Sequence, residues 1–305
     1  MRTDLAVRSV PVFYSDAYVL AEHAFDTTRK ARWVAQSLRD RPIAGIALET
    51  PTPLTEADVL ACHDPEYVAA VRTGEPGSLA SSNGFAWDGG LWDMVLASNG
   101  GAVAAALRAL ETGAVAGSLS SGLHHARRST GAGFCTFNGL ALAARRALDA
   151  GARSVLIVDL DAHCGGGTAQ ILADEPRVTT LDIAVVAFDR YRPSDPSSLD
   201  LVVDPAAYLP TLRRRLDALH SGAFDLVLYN AGMDPFERCF IGGLSGMTRD
   251  LLAERETTLF RWCRAHRLPV AFVLAGGYVN SGFTQSELVD LHRLTMSAAA
   301  SRERS

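Results

Sequence analysis

Residues 155–163 read Val-Leu-Ile-Val-Asp-Leu-Asp-Ala-His, an apolar run that ends in three polar side chains at alternate positions. A continuous apolar run of this kind suits a strand buried on both faces of a parallel sheet. In an extended strand alternate side chains share a face, so Asp159, Asp161 and His163 project the same way. Two carboxylates and an imidazole at the end of a buried strand are costly unless something pairs with them. A divalent cation is the natural partner, and Gly165, Gly166 and Gly167 let the backbone bend closely around it. The stretch points to a metal-dependent hydrolase.

The rest of the chain supports such a sheet. Short β-like runs at Val10–Tyr14, Ile43–Leu48, Val115–Leu119, Val155–Asp159, Val178–Ile183, Leu226–Asn230 and Val270–Ala275 alternate with amphipathic stretches. The latter are Thr27–Leu38, Glu56–Cys62, Pro65–Arg72, Met94–Glu111, Gly139–Ala150, Ala206–His220, Met247–His266 and Glu287–Ala299. Strands alternating with helices predict an α/β fold, a central mainly parallel sheet with helices on both faces. The 305 residues, 48% hydrophobic and 21% charged, are enough for one large domain over 1–305.

A net charge of −5 lacks the basic footprint that nucleic acid requires. The Arg213-Arg214-Arg215 run reads as a solvated helix face. No apolar run reaches membrane-spanning length and the first residues lack a signal-like apolar core, so a cytoplasmic protein is expected. Five cysteines without a C-x-x-C pair argue against a disulfide framework and agree with a reducing compartment.

Ligands of open α/β sheets bind beyond the carboxyl ends of the strands, and polar clusters recur there. Asp234 follows the Leu226–Asn230 run and a glycine, where its carboxylate can swing toward the sheet edge. With Asp161 and His163 it makes an Asp-His-Asp set with open positions, the design of a catalytic zinc. Taken alone, Asp234 reads equally well as a turn residue before Pro235. His124 and His125 follow the third run, and an adjacent imidazole pair suits taking one proton and delivering it later. Tyr278 follows Gly276 and Gly277, and its phenol can donate to an oxyanion opposite the metal.

These motifs together resemble the histone deacetylase family, zinc amidohydrolases of the arginase/deacetylase superfamily. They are Gly122-Leu123-His124-His125-Ala126, Gly133-Phe134-Cys135-Thr136-Phe137-Asn138, Asp159-Leu160-Asp161-Ala162-His163, Asn230-Ala231-Gly232-Met233-Asp234 and Gly276-Gly277-Tyr278, in family order. A weaker likeness reaches back to His63-Asp64-Pro65-Glu66-Tyr67-Val68. The resemblance implies one zinc held by Asp161, His163 and Asp234, with His125 as general base and acid. It implies that His124 is the electrostatic partner of His125, held by Asp159, and that Tyr278 polarises the carbonyl. Gly133, Phe134 and Gly277 would line the substrate tunnel, with Tyr191 as a second wall. A potassium or sodium ion would sit by Asp159, the carbonyls of Asp161 and His163, and the region of Asp182 and Ile183. The implied reaction is hydrolysis of an N-acyl amide of a small molecule or peptide. The amine (protein acetyl-lysine, acetylpolyamine or N-acyl metabolite) and the oligomeric state are left open.

Two departures stand out. An Asp or Asn commonly follows the zinc-binding histidine by three residues and orients the second histidine of the pair; here that position is Gly166, so His125 is expected to lack a partner and to be more weakly oriented. After Asp182-Ile183 the chain reads Ala184-Val185-Val186-Ala187-Phe188-Asp189-Arg190-Tyr191, which predicts a different mouth. Two other readings compete. A binuclear manganese ureohydrolase needs further carboxylates where Gly165 and Gly232 stand. An idle zinc-containing acyl-amine binder has Gly166 as its support.

Overall fold

The computed structural model describes residues 9–21 and 26–301. Eight parallel strands form one sheet in the order β2-β1-β3-β8-β7-β4-β5-β6. Their ranges are β1 Val10–Phe13, β2 Ile46–Glu49, β3 Val115–Ser118, β4 Val155–Asp159, β5 Val178–Ala184, β6 Ser198–Leu201, β7 Leu226–Gly232 and β8 Val270–Ala275. β6, the short edge strand Ser-Leu-Asp-Leu, is partly exposed and carries no apolar run, so the sequence pattern passes over it.

The central strands are dry on both sides. Val155, Leu156, Ile157 and Val158 have no exposed surface, and each such side chain contributes about 2 kcal/mol by leaving water. Leu156 and Val158 join a core with Val227 and Tyr229, packed by helices Asp26–Asp40, Pro205–Ala218, Arg249–Ala265 and Gln285–Ala300. Val155 and Ile157 face the opposite core with Leu226 and Leu228, beneath helices Pro65–Thr73, Leu91–Thr112 and Gly139–Asp149. Alternation along a strand therefore feeds two cores rather than one core and solvent.

Because every strand runs the same way, the segments after β3, β4, β5, β7 and β8 all leave from one edge. β4 pairs with β7 through Asp159 opposite Asn230, and with β5 through Asp159 opposite Asp182. That register fixes which polar side chains meet. No helix among the described residues is long and apolar enough to cross a membrane.

Candidate active site

Beyond Asp159 the backbone curls instead of continuing as a strand. The Asp161 N–H donates to Asp159 Oδ1 (3.2 Å) and the His163 N–H to Asp161 Oδ1 (3.0 Å). Asp234 reaches across from β7, its Oδ1 accepting from the Ala162 N–H at 3.1 Å. One donor atom from each of Asp161, His163 and Asp234 lies within 4.8 Å of the others, and all three residues are buried. His163 Nδ1 stands 3.1 Å from both Asp161 Oδ1 and Asp234 Oδ2.

Burial and the neighbouring Asp161 push the Asp234 carboxyl up to about 6. Burial works against charge on His163, but Asp161 and Asp234 outweigh it and raise the imidazole to about 10. Buried like charges of this density call for a cation. Asp234 Oδ2 receives no aligned hydrogen bond although it is fully buried. Gly276, at φ +52°, makes the space for this carboxylate, since a Cβ there would run into it. Two carboxylates and an imidazole so arranged are able to hold a divalent metal ion with positions open.

The histidine pair leaves β3 on a turn in which Leu123 adopts φ +54°. His124 Nδ1 donates to Asp159 Oδ2 (2.8 Å), and the two Nε2 atoms of His124 and His125 share a 3.1 Å hydrogen bond. Asp159 is held in turn by Asn230, whose Nδ2 donates to its Oδ1 at 2.8 Å. Burial opposes charge on His124, yet Asp159 and Asp161 push it up to about 10. Burial, reinforced by His124, pushes His125 down to about 4. The pair is thus split into a charged and a neutral ring.

His125 does have a carboxylate partner, contrary to the expectation from Gly166. Its Nδ1 donates to Asp189 Oδ2 at 2.9 Å, and Arg127 donates to Asp189 Oδ1. The second wall also differs from expectation. Phe188 stands edge-on to His125 and His163, with ring centroids 5.0 and 5.9 Å away, and it is half exposed. Tyr191 turns away: burial and the adjacent Asp182 raise its phenol, and it lines a separate cleft of about 360 Å³ with Arg192 and Pro193. The intervening residues cannot keep an extended alternation, because Asp189 adopts φ +59° and turns the chain. Phe134, at φ +66°, lies 6.1 Å from the Tyr278 ring, and Gly133 packs so tightly on His125 that a side chain would overlap the imidazole.

Tyr278 is carried by Gly276 and Gly277, both in the left-handed region that favours glycine (φ +52° and +88°). Lys30, fully buried and not singled out by the sequence, donates from Nζ to the Gly276 carbonyl at 2.7 Å. Burial lowers its ammonium to about 8, with Asp234 and Asp161 opposing. Burial, with Asp234 and Asp161, holds the Tyr278 phenol well above its ordinary value, so it stays a donor. A narrow cavity of about 20 Å³ joins His124, His125, Phe134, Asp161 and Tyr278.

Asp182 and Ile183 lie on fully buried β5. Asp182 Oδ2 accepts from the Gly165 N–H at 2.8 Å, while its Oδ1 has no hydrogen bond of ordinary geometry. Burial, then Asp159, raises the Asp182 carboxyl well above its usual range.

Two further residues hold the loops together. Asn138 caps helix Gly139–Asp149 through Oδ1, while its Nδ2 donates to the carbonyls of His124 (3.2 Å) and Ala126 (3.0 Å). His63 Nδ1 donates to the Arg127 carbonyl (2.9 Å), and its Nε2 accepts from the Asn138 N–H (3.0 Å). Burial pushes His63 down to about 4. Between an unfolded value near 6.5 and about 4 the unfolded chain takes up this proton and the folded one does not, so stability falls as pH drops through that window. From pH 7 to 5 this share amounts to about 2 kcal/mol. Urea unfolding of His63→Gln should show lower stability at pH 7 but a shallower acid loss; an unchanged pH slope would remove His63 from this role.

The all-parallel sheet with this polar cluster at one edge matches the arginase/deacetylase fold of its structural neighbours. Residues 23–191 match the family model for the histone deacetylase domain. The chain is 35% identical over 298 residues to an uncharacterized protein of Picosynechococcus sp., covering 95% of this chain and 98% of that one. It is 27% identical to histone deacetylase 2 of Arabidopsis thaliana over 91% of this chain and 77% of the relative. In fold it is similar to acetylpolyamine aminohydrolase from Burkholderia pseudomallei, with a TM-score of 0.76, 20% identity, and 95% and 98% of the two chains covered. The HDA15 HD domain gives 0.79 at 18% identity, over 96% and 91%. The protein belongs to the histone deacetylase family.

Proposed function

We propose that this protein is a zinc-dependent amidohydrolase that removes an acetyl or related acyl group from a lysine-like or other amine. What supports this reading most is that Asp161, grouped with His163 and Asp234, also lines one narrow cavity with the His124–His125 pair and Tyr278. Asp161, His163 and Asp234 would hold the zinc, which when bound supplies Lewis acidity to the amide carbonyl and lowers the pKa of water.

The protein's own groups do the rest. Neutral His125, its Nδ1–H committed to Asp189, has its Nε2 lone pair on the His124 Nε2–H, and takes a proton there from the attacking water as that contact gives way. His124, charged between Asp159 and Asp161, lies on that same Nε2 and lets the pair return a proton to the departing amine. Tyr278 donates its phenolic hydrogen to the carbonyl oxygen as that oxygen gains charge. Phe134 and Phe188 present aromatic surface to the methylenes of the substrate. Asp159 and Asp182 suit a potassium or sodium ion, with the carbonyls of Asp161 and His163 as its further expected ligands, because buried Asp182 Oδ1 otherwise goes without an aligned donor. Five buried free cysteines suit a reducing cytoplasm. The idle-binder reading draws on Gly166, and the Asp189 partner of His125 favours the enzyme reading over it.

Acetate release from N-acetyl-lysine peptides, N-acetylpolyamines and N-acyl metabolites should be lost on chelation and restored by zinc. Tyr278→Phe should lower kcat by roughly 100- to 1,000-fold, with bound zinc unchanged. A phenylalanine variant as fast as wild type would contradict the oxyanion role.

A further inference from the structure

We propose that Asp189 is the positioning residue of His125 and that Gly166 is what lets it enter, an exchange of one carboxylate between two loops. A Cβ on Gly166 would lie 2.5 Å from Asp189 Oδ1 and 2.7 Å from its Cγ, and would run into the Asp189 backbone oxygen. Residue 166 and the Asp189 carboxyl thus compete for one volume, so a carboxylate from position 166 and one from position 189 exclude each other. The pattern that sequence alone reads as a missing acid is space kept for an acid arriving from beyond β5.

The delivery is built in detail. The Asp189 side chain is buried, and its φ of +59° is a conformation that Asp tolerates better than most residues. Its two oxygens have separate partners: Oδ2 accepts from His125 Nδ1 (2.9 Å) and the Gly167 N–H (3.2 Å), and Oδ1 accepts from Arg127. The loop is pinned by the Cys164 N–H, which donates to the Phe188 carbonyl at 3.1 Å. Arg127 is itself fixed through its carbonyl by His63. A carboxylate on Nδ1 selects the tautomer with Nδ1 protonated and the lone pair on Nε2. Since Phe188 precedes Asp189, one short strap carries both a wall of the mouth and the group that aims His125.

The catalytic half of the test rests on the amidohydrolase reading, while the spectroscopic half does not. In the purified protein assayed with an N-acetyl-lysine peptide, Asp189→Asn and Asp189→Gly should each lower kcat roughly 10- to 100-fold with KM little changed and zinc retained. Gly166→Asp alone should not match wild type, because its side chain would meet both the Asp189 carboxyl and the residue-189 backbone oxygen. Nitrogen-15 spectra of the metal-free protein should show His125 protonated at Nδ1 in wild type and mixed tautomers in Asp189→Gly. Unchanged tautomer in Asp189→Gly, or kcat within twofold of wild type in Asp189→Asn, would overturn the proposal. If no peptide is hydrolysed but the tautomer shifts as described, the positioning role stands and the substrate reading fails.

Discussion

Asp234→Asn is expected to lose zinc and with it roughly three orders of magnitude or more of kcat/KM. The substitution keeps the shape and the acceptor for the Ala162 N–H, so the fold has no reason to change at that contact. What it removes is one of two buried carboxylates facing His163 Nδ1. In the metal-free protein that carboxylate is under strain from burial and from Asp161. Its neutral replacement should therefore leave the metal-free melting temperature unchanged or raised. Zinc should stabilise the wild type by mass action, and to a much smaller degree the variant. A variant that binds zinc as tightly as wild type would take Asp234 out of the ligand set.

The second large effect falls on His125. Alanine there should lower kcat by roughly 100- to 10,000-fold while zinc stays bound. The ring is available as a base because burial and charged His124 keep it neutral, while Asp189 holds its Nδ1–H and favours the proton it takes up. His124 works differently, as the charged member fixed by Asp159. Its removal should also raise the proton affinity of His125, so His124→Ala should move the acid limb of the pH–rate profile upward as well as lowering the rate. Equal activity of wild type and His125→Ala would rule out the assigned role.

Much of the frame is legible in the chain because its signals are local. The β-like runs that become β1–β5, β7 and β8 are short and separated by helical stretches, and an α/β alternation leaves few architectures. Asp161, His163, Asp234, His124, His125 and Tyr278 stand just past strand ends, so a parallel sheet brings them to one edge. What escapes the sequence is decided by turns and by distant neighbours. Phe188 and Asp189 lie in an aperiodic segment whose direction depends on one left-handed residue, and Tyr191 beyond it lines a separate cleft. Lys30 looks like any cation of an amphipathic helix until the helix docks against the Gly276 turn. Gly166 held the one usable hint: a glycine in place of an expected acid is reason to look for a replacement acid elsewhere, and the aspartate past β5 was available.

The most direct measurement is metal content and acetate release on the same purified sample, with acetylated lysine peptide, acetylpolyamine and N-acyl metabolite as substrates. One zinc per chain and acetate formed in step with free amine from at least one of them is the expected result. Two manganese ions with urea release, or a full zinc complement with no acetate from any of the three, would contradict the assignment.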